Sequence, residues 1–181
     1  MIISISSCDN TPNTSKEHDM ELGKADKYSE YTNFANGEEI KSGNDVGSDQ
    51  FSIEFKDVIL TFDRRTEISN DSSQISKSLY LKSSGPIYVM EGCVERIFPL
   101  MQGAILNERY SWSSCNSEIE VSTHTTFTDS LNNTTSSFDG NLFKKKYFGF
   151  MYREGTLNKY AWVHLSNDTL STIIYDYAFQ K

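Results

Sequence analysis

The residues with the most chemistry to offer lie near the C-terminus: Tyr147, Met151, Tyr160, Trp162 and His164. If Arg153 pairs with Asn158 across the loop at Gly155, these side chains and Gly149 share one face of a hairpin, because side chains alternate along a strand. The opposite face carries Phe148, Phe150, Tyr152, Ala161, Val163 and Leu165, and reads as the core face. Large rings with polar tips suit stacking on a sugar ring or contact with a partner protein. The same rings also suit a structural role beneath another layer of chain.

Other reactive side chains are less suggestive. The chain has 3 histidines. His18 lies in a polar segment, while His124 and His164 fall in strand-like stretches without metal-ligand spacing. No nucleophile elbow, zinc-protease, phosphate-loop or dinucleotide pattern occurs, so no cofactor or metal is expected. The 25 acidic residues could include a pair suited to glycoside hydrolysis, but spacing alone selects none. Asn44–Asp49 alternates oxygen-bearing residues around Gly47, as some calcium loops do. It lacks the terminal glutamate and reads better as a turn before a strand.

The N-terminal string Ile5-Ser6-Ser7-Cys8 resembles a bacterial lipobox, an aliphatic residue and two small ones before a cysteine. The resemblance implies cleavage before Cys8 and acylation of that residue. The chain would then be exported and held at the outer membrane or cell surface by lipid, with a secreted or periplasmic form as the alternative. It departs from a full signal peptide, because no basic residue and no long apolar stretch precede Cys8. In an exported protein the remaining pair, Cys93 and Cys115, invites a disulfide closing about 22 residues. Two separate buried thiols are the alternative.

These groups need a scaffold. Net charge is −8, which opposes nucleic-acid binding, and the basic run Lys144–Lys146 is short enough to be a solvated strand end. No apolar run is long enough for a membrane-spanning helix, so membrane contact is expected only through the anchor. Residues 1–8 read as the remnant of a lipoprotein signal sequence, and 9–50 as a flexible polar arm. Residues 51–181 read as the folded domain. Phe51, Ile53 and Phe55 alternate in one parity and Val58, Leu60 and Phe62 in the other, so a turn or bulge is expected at Lys56-Asp57. Residues 64–76 read as turn. Val94–Leu106 reads as a loop, Glu118–Thr128 as strand, and Ser130–Asn141 as turn. Strands at Lys146–Arg153, Lys159–Ser166 and Leu170–Phe179 form a meander. The expected fold is all-β, an antiparallel sandwich or jelly-roll, with a closed barrel as the alternative.

The ending Tyr160-Ala161-Trp162-Val163-His164-Leu165-Ser166, followed by Ile173, Ile174 and Tyr175-Asp176-Tyr177-Ala178-Phe179, resembles that of exported bacterial β domains, mostly uncharacterised secreted or lipid-anchored proteins. It departs from them at Ala161 and His164, where they have glycine and arginine. The resemblance implies a β fold and the cell envelope, and supplies no catalytic residue. The expected function is a non-enzymatic binding or interaction module for a glycan or protein. The alternatives are an extracellular glycan hydrolase with paired carboxylates and a purely structural envelope protein.

Overall fold

The computed structural model describes residues 18–90, 99–114, 118–140 and 142–181. Cys8, Cys93 and Cys115 lie outside the described residues, and with them the acylation and disulfide expectations. The described chain is all strand and turn: β1 (Met20–Glu21), β2 (Ser29–Lys41), β3 (Gly47–Phe55), β4 (Val58–Ile68), β5 (Gln74–Ser83), β6 (Ile87–Met90), β7 (Ile105–Leu106), β8 (Trp112–Ser114), β9 (Glu118–Thr128), β10 (Thr134–Gly140), β11 (Phe143–Glu154), β12 (Leu157–Asn167) and β13 (Ser171–Gln180).

Two open antiparallel sheets stack as a sandwich, and neither closes into a barrel. One runs β10-β9-β5-β4-β3 and the other β2-β13-β12-β11-β6-β8; β1 and β7 form a separate two-stranded ribbon. The main core lies between the large sheets. Phe55, Leu60, Phe62, Leu79 and Leu81 of the first meet Val89, Phe148, Phe150, Val163 and Ile174 of the second. The two-parity pattern at Phe51–Phe62 comes from the turn at Lys56-Asp57. Phe55 pairs with Val58 there, and Lys56 takes a positive φ of 51°. The turn resets the parity, so Ile53, Phe55, Val58, Leu60 and Phe62 all join one core.

Three polar segments differ from expectation. The flexible arm does not extend to residue 50: Ser29–Lys41 is β2, an edge strand paired along β13, with Ile40 buried and Phe34 edge-on to Phe51. Backbone pairing holds it, while its outer face stays polar as an edge strand allows. Residues 64–76 are mostly strand, because β4 continues to Ile68 and β5 starts at Gln74. Their inward positions include Arg64 and Thr66, which hid the alternation. Thr134–Gly140 is β10, almost wholly exposed on both faces, so no core pattern marks it.

The outer face of the six-stranded sheet has its own cover. Met20, Leu22 and Leu106 pack with Tyr147, Met151, Tyr160, Trp162 and Ala178 in a second core. The cover is pinned by backbone bonds: Leu22 donates to Ala104 (2.9 Å), and Leu100 and Tyr147 bond each other in both directions. The Trp162 indole N–H reaches the Lys24 carbonyl at 3.3 Å.

Candidate ligand-binding groove

The pairing expected for the C-terminal hairpin is present: Arg153 faces Asn158, Gly149 faces Trp162 and Tyr147 faces His164. Its aromatic face, however, is no open platform. Trp162 is 0% exposed, and Tyr147, Met151 and Tyr160 are also buried. A sheet face this apolar is more stable covered than hydrated, and residues 20–22 and 100–112 cover it. At Gly149 the covering groups are leucines: a Cβ there would come within 2.5 Å of Leu106 and 3.3 Å of Leu100. Of the five residues singled out, only His164 lies at the margin of the cover, with 15% of its side chain exposed.

Beyond that margin, three strand irregularities reshape the sheet. On β13, Ile174 pairs with Leu165 and Asp176 with His164, leaving Tyr175 as an extra residue. Such a bulge puts neighbouring side chains on the same face, and Tyr175 and Asp176 both turn outward. β2 bows around the same point, with residues 34–37 opposite Tyr175. Gly37 there has φ +78°, and a Cβ would sit 2.5 Å from Ile173 Cγ2. On β11, Phe143 pairs with Asn167 and Lys146 with Leu165, so Lys144 and Lys145 together oppose Ser166. Lys145 takes a left-handed φ of 47°, and its amide donates to Ser166 Oγ at 2.8 Å.

The bulges of β11 and β13 flank a groove of about 610 Å³ between Leu142–Lys145, Ser166–Asp168, Ile173 and Tyr175. That size falls in the range of small-ligand sites. Its walls are largely apolar, from Leu142, Phe143, Ile173 and the Tyr175 ring. Ser166 Oγ and the Tyr175 hydroxyl are 3.1 Å apart, and Lys145 Nζ lies 5.4 Å from the centre of the Tyr175 ring.

Alongside runs a rigid polar ledge. The His164 ring stacks on Tyr147 (4.3 Å between centres, 8° between planes), and His164 Nδ1 lies 3.0 Å from Asp176 Oδ1. Tyr31 donates to Asp176 Oδ2 at 3.0 Å and accepts from Asn33 at 3.1 Å. Burial raises the Tyr31 hydroxyl above its ordinary pKa, and its bond to Asp176 adds to the rise. Burial likewise raises Tyr147, with a smaller push from Asp176. Both phenols are therefore neutral donors at physiological pH. His164 and Asp176 resemble two parts of a hydrolytic triad, but Ser166 bonds Lys145 and Tyr175 instead. Ser166 thus does not complete a serine–histidine–aspartate relay with them.

Arg64 holds the groove from below. It is 1% exposed and reaches from the opposite sheet to the β12–β13 turn. It donates to Asn167 Oδ1 (2.9 Å), Thr172 Oγ1 (3.1 Å) and the carbonyls of Asp168 and Thr169 (both 3.0 Å). Burial lowers its pKa to about 10, partly countered by Asp168, so it stays charged at neutral pH. For Asp168, burial pushes the pKa up, but the amides of Ser171 and Leu170 and the charge of Arg64 outweigh it and hold the carboxylate below its usual range.

A second polar cluster lies on the outer face of the five-stranded sheet. Asp63 Oδ2 meets Lys82 at 2.6 Å and Arg65 at 2.8 Å, and Arg65 forms a two-pronged bond to Glu118 at 2.9 and 2.7 Å. Burial alone would raise Asp63, yet Lys82 and Arg65 bring it below the ordinary value. Glu118 is lowered chiefly by Arg65. Both carboxylates are therefore held ionised, and neither supplies the protonated acid of a two-carboxylate hydrolase.

Among the described residues no three histidine, cysteine, aspartate or glutamate side chains converge on a metal site. His18 stacks on Tyr28 at 4.0 Å, and His124 pairs across β10 with Phe138. Of Asn44–Asp49, residues 44–46 form a bend and the last three already belong to β3, where the Asp49 carboxylate accepts the Lys41 amide. Sequence reasoning missed Tyr31, Lys145, Ser166, Tyr175 and Asp176. The Lys144–Lys146 run was the one usable signal, and it read as a solvated strand end.

No family model, curated protein or solved structure matches the chain. Fold and groove together define a class only, an open antiparallel β-sandwich with a ligand-sized groove between bulged strands.

Proposed function

We propose that this protein is a non-enzymatic binding module of the cell envelope that takes a sugar residue of an extracellular glycan in the groove between β11 and β13. The observation that carries the reading is the bulge that turns Tyr175 onto the outer face, beside the Ser166 hydroxyl and an apolar wall. A sugar ring has apolar C–H faces for an aromatic ring and hydroxyls for Ser166 Oγ and the Tyr175 hydroxyl. The lipobox-like Ile5–Cys8 supports an envelope location with an acylated Cys8. Intact-mass measurement of the protein from its host tests the anchor; a chain still carrying Met1 without acyl mass removes it.

Titration of the protein with a panel of oligosaccharides, followed by calorimetry, tests the binding. Tyr175→Ala is expected to weaken binding about 10-fold or more while leaving the unfolding midpoint nearly unchanged. Equal affinity in wild type and variant would place the ligand elsewhere. The burial of Trp162 favours a second reading, a purely structural envelope component, since the aromatic face is used up as core. Absence of binding across the panel selects it.

A further inference from the structure

Taking the groove as a sugar site, we infer that it selects a sugar carrying an anionic substituent, a carboxylate or sulfate, within an otherwise weakly charged glycan. The inference rests on the proposed binding reading and adds the charge of the ligand.

The chain as a whole is anionic, at −8, yet the groove rim is cationic. The β11 bulge directs Lys144 and Lys145 to it, and both are exposed. Among the described residues neither ammonium group is ion-paired with a carboxylate. Lys24, Lys41, Lys56, Lys82 and Lys159 each meet one, while Lys27, Lys77 and Lys146, away from Tyr175, share the state of the rim pair. Asp168, the carboxylate among the lining residues, is turned into its own loop: Oδ1 accepts the amides of Leu170 at 2.8 Å and Ser171 at 2.7 Å, and Arg64 stands behind it. Asp168 thus keeps its charge but commits Oδ1 to its own loop, and among the described residues it forms no ion pair with either rim lysine.

Lys145 also holds a left-handed conformation that a side chain enters only against resistance. Its ammonium group lies over the Tyr175 ring, 5.4 Å from the ring centre. A sugar lying against Tyr175 would bring a ring substituent to that group and its hydroxyls to Ser166. A lysine is a point charge with rotatable donors, so it accepts carboxylate or sulfate alike. The overall negative charge repels a long polyanion, which restricts the fit to isolated acidic sugars.

Calorimetry with the full chain compares one neutral oligosaccharide, its counterparts bearing a single uronate or a single sulfate, and a heavily sulfated polysaccharide. The singly charged forms are expected to bind roughly 3- to 10-fold tighter than the neutral parent, the scale of two exposed ion pairs. The advantage should shrink in 0.5 M salt through screening, about 4 Å being the reach of charge there. Lys144→Gln/Lys145→Gln should bring the ratio of acidic to neutral affinity, measured within the variant, down to about 1; salt dependence of the wild type gives the same answer without a variant. Equal binding of neutral and acidic forms, an advantage that survives the double variant, or tightest binding of the polysaccharide would each overturn the inference and leave the groove reading standing. Binding of none of them overturns both.

Discussion

Arg64 is the residue on which the geometry of the groove most depends. Its guanidinium donates to Asn167 and Thr172 at the ends of β12 and β13 and to two carbonyls of the turn between them, while the Thr172 hydroxyl also donates to Asn167 Oδ1 at 2.9 Å. Arg64→Met keeps much of the volume but strands those acceptors in a buried setting. It is expected to cost about 3 kcal/mol or more in urea unfolding; a loss under 1 kcal/mol would show that water replaces the clasp. Trp162 tests the cover. In Trp112→Phe, the remaining indole should emit at short wavelength and resist acrylamide, because Trp162 has no exposed surface. Emission typical of indole in water would mean the second core does not form. Gly149→Ala, whose Cβ would come 2.5 Å from Leu106, is expected to destabilise by about 1–3 kcal/mol through overpacking.

At the scale of elements, regular strands and irregular ones differ in how they reveal themselves. The β11–β12 pairing is legible from sequence because apolar and amphipathic residues alternate on both sides of a two-residue turn, Gly155-Thr156, and the turn fixes register. The covering ribbon is not, since Met20 and Leu22 are isolated apolar residues in a polar stretch whose partner, Leu106, is distant in sequence. The bulges are hidden for a different reason. In Ile173-Ile174-Tyr175-Asp176-Tyr177 large apolar and aromatic residues run without strict alternation, so no parity exists for an extra residue to break. The aromatic hairpin thus pointed to the correct sheet face, while the groove lies one step past it, where pattern reading stops. Gly37 makes this region testable. Gly37→Ala puts a side chain against Ile173 at a left-handed φ, and should lower stability by about 1–3 kcal/mol. It should also weaken ligand binding, because Ile173 lines the groove.

The whole molecule carries its charge in linked groups, which sets its response to acid. Asp63 and Glu118 have pKa values below their ordinary ones, and exposed Asp71 is lowered to about 2 by hydrogen bonds from Ser69 and Ser73. The folded state therefore binds these protons less readily than the unfolded chain, whose carboxyls titrate near ~4. Their contribution is fully present above that value and is lost as pH falls through the lowered folded values. Urea midpoints should hold between pH 7 and 5 and fall steeply from about pH 4 toward 2. Asp63→Asn should flatten that fall, and an unchanged slope would mean that the cluster on the five-stranded sheet is not coupled to folding.

The central claim is that a ligand enters the groove beside Tyr175. A ¹⁵N-labelled sample titrated with a singly acidic oligosaccharide, read by amide chemical shifts, tests it most directly. Saturable shifts should gather at Lys145, Ser166, Tyr175 and Asp176, with little change around Asp63 and Arg65 on the opposite sheet. Shifts confined to that opposite sheet, or none at millimolar ligand, would contradict it.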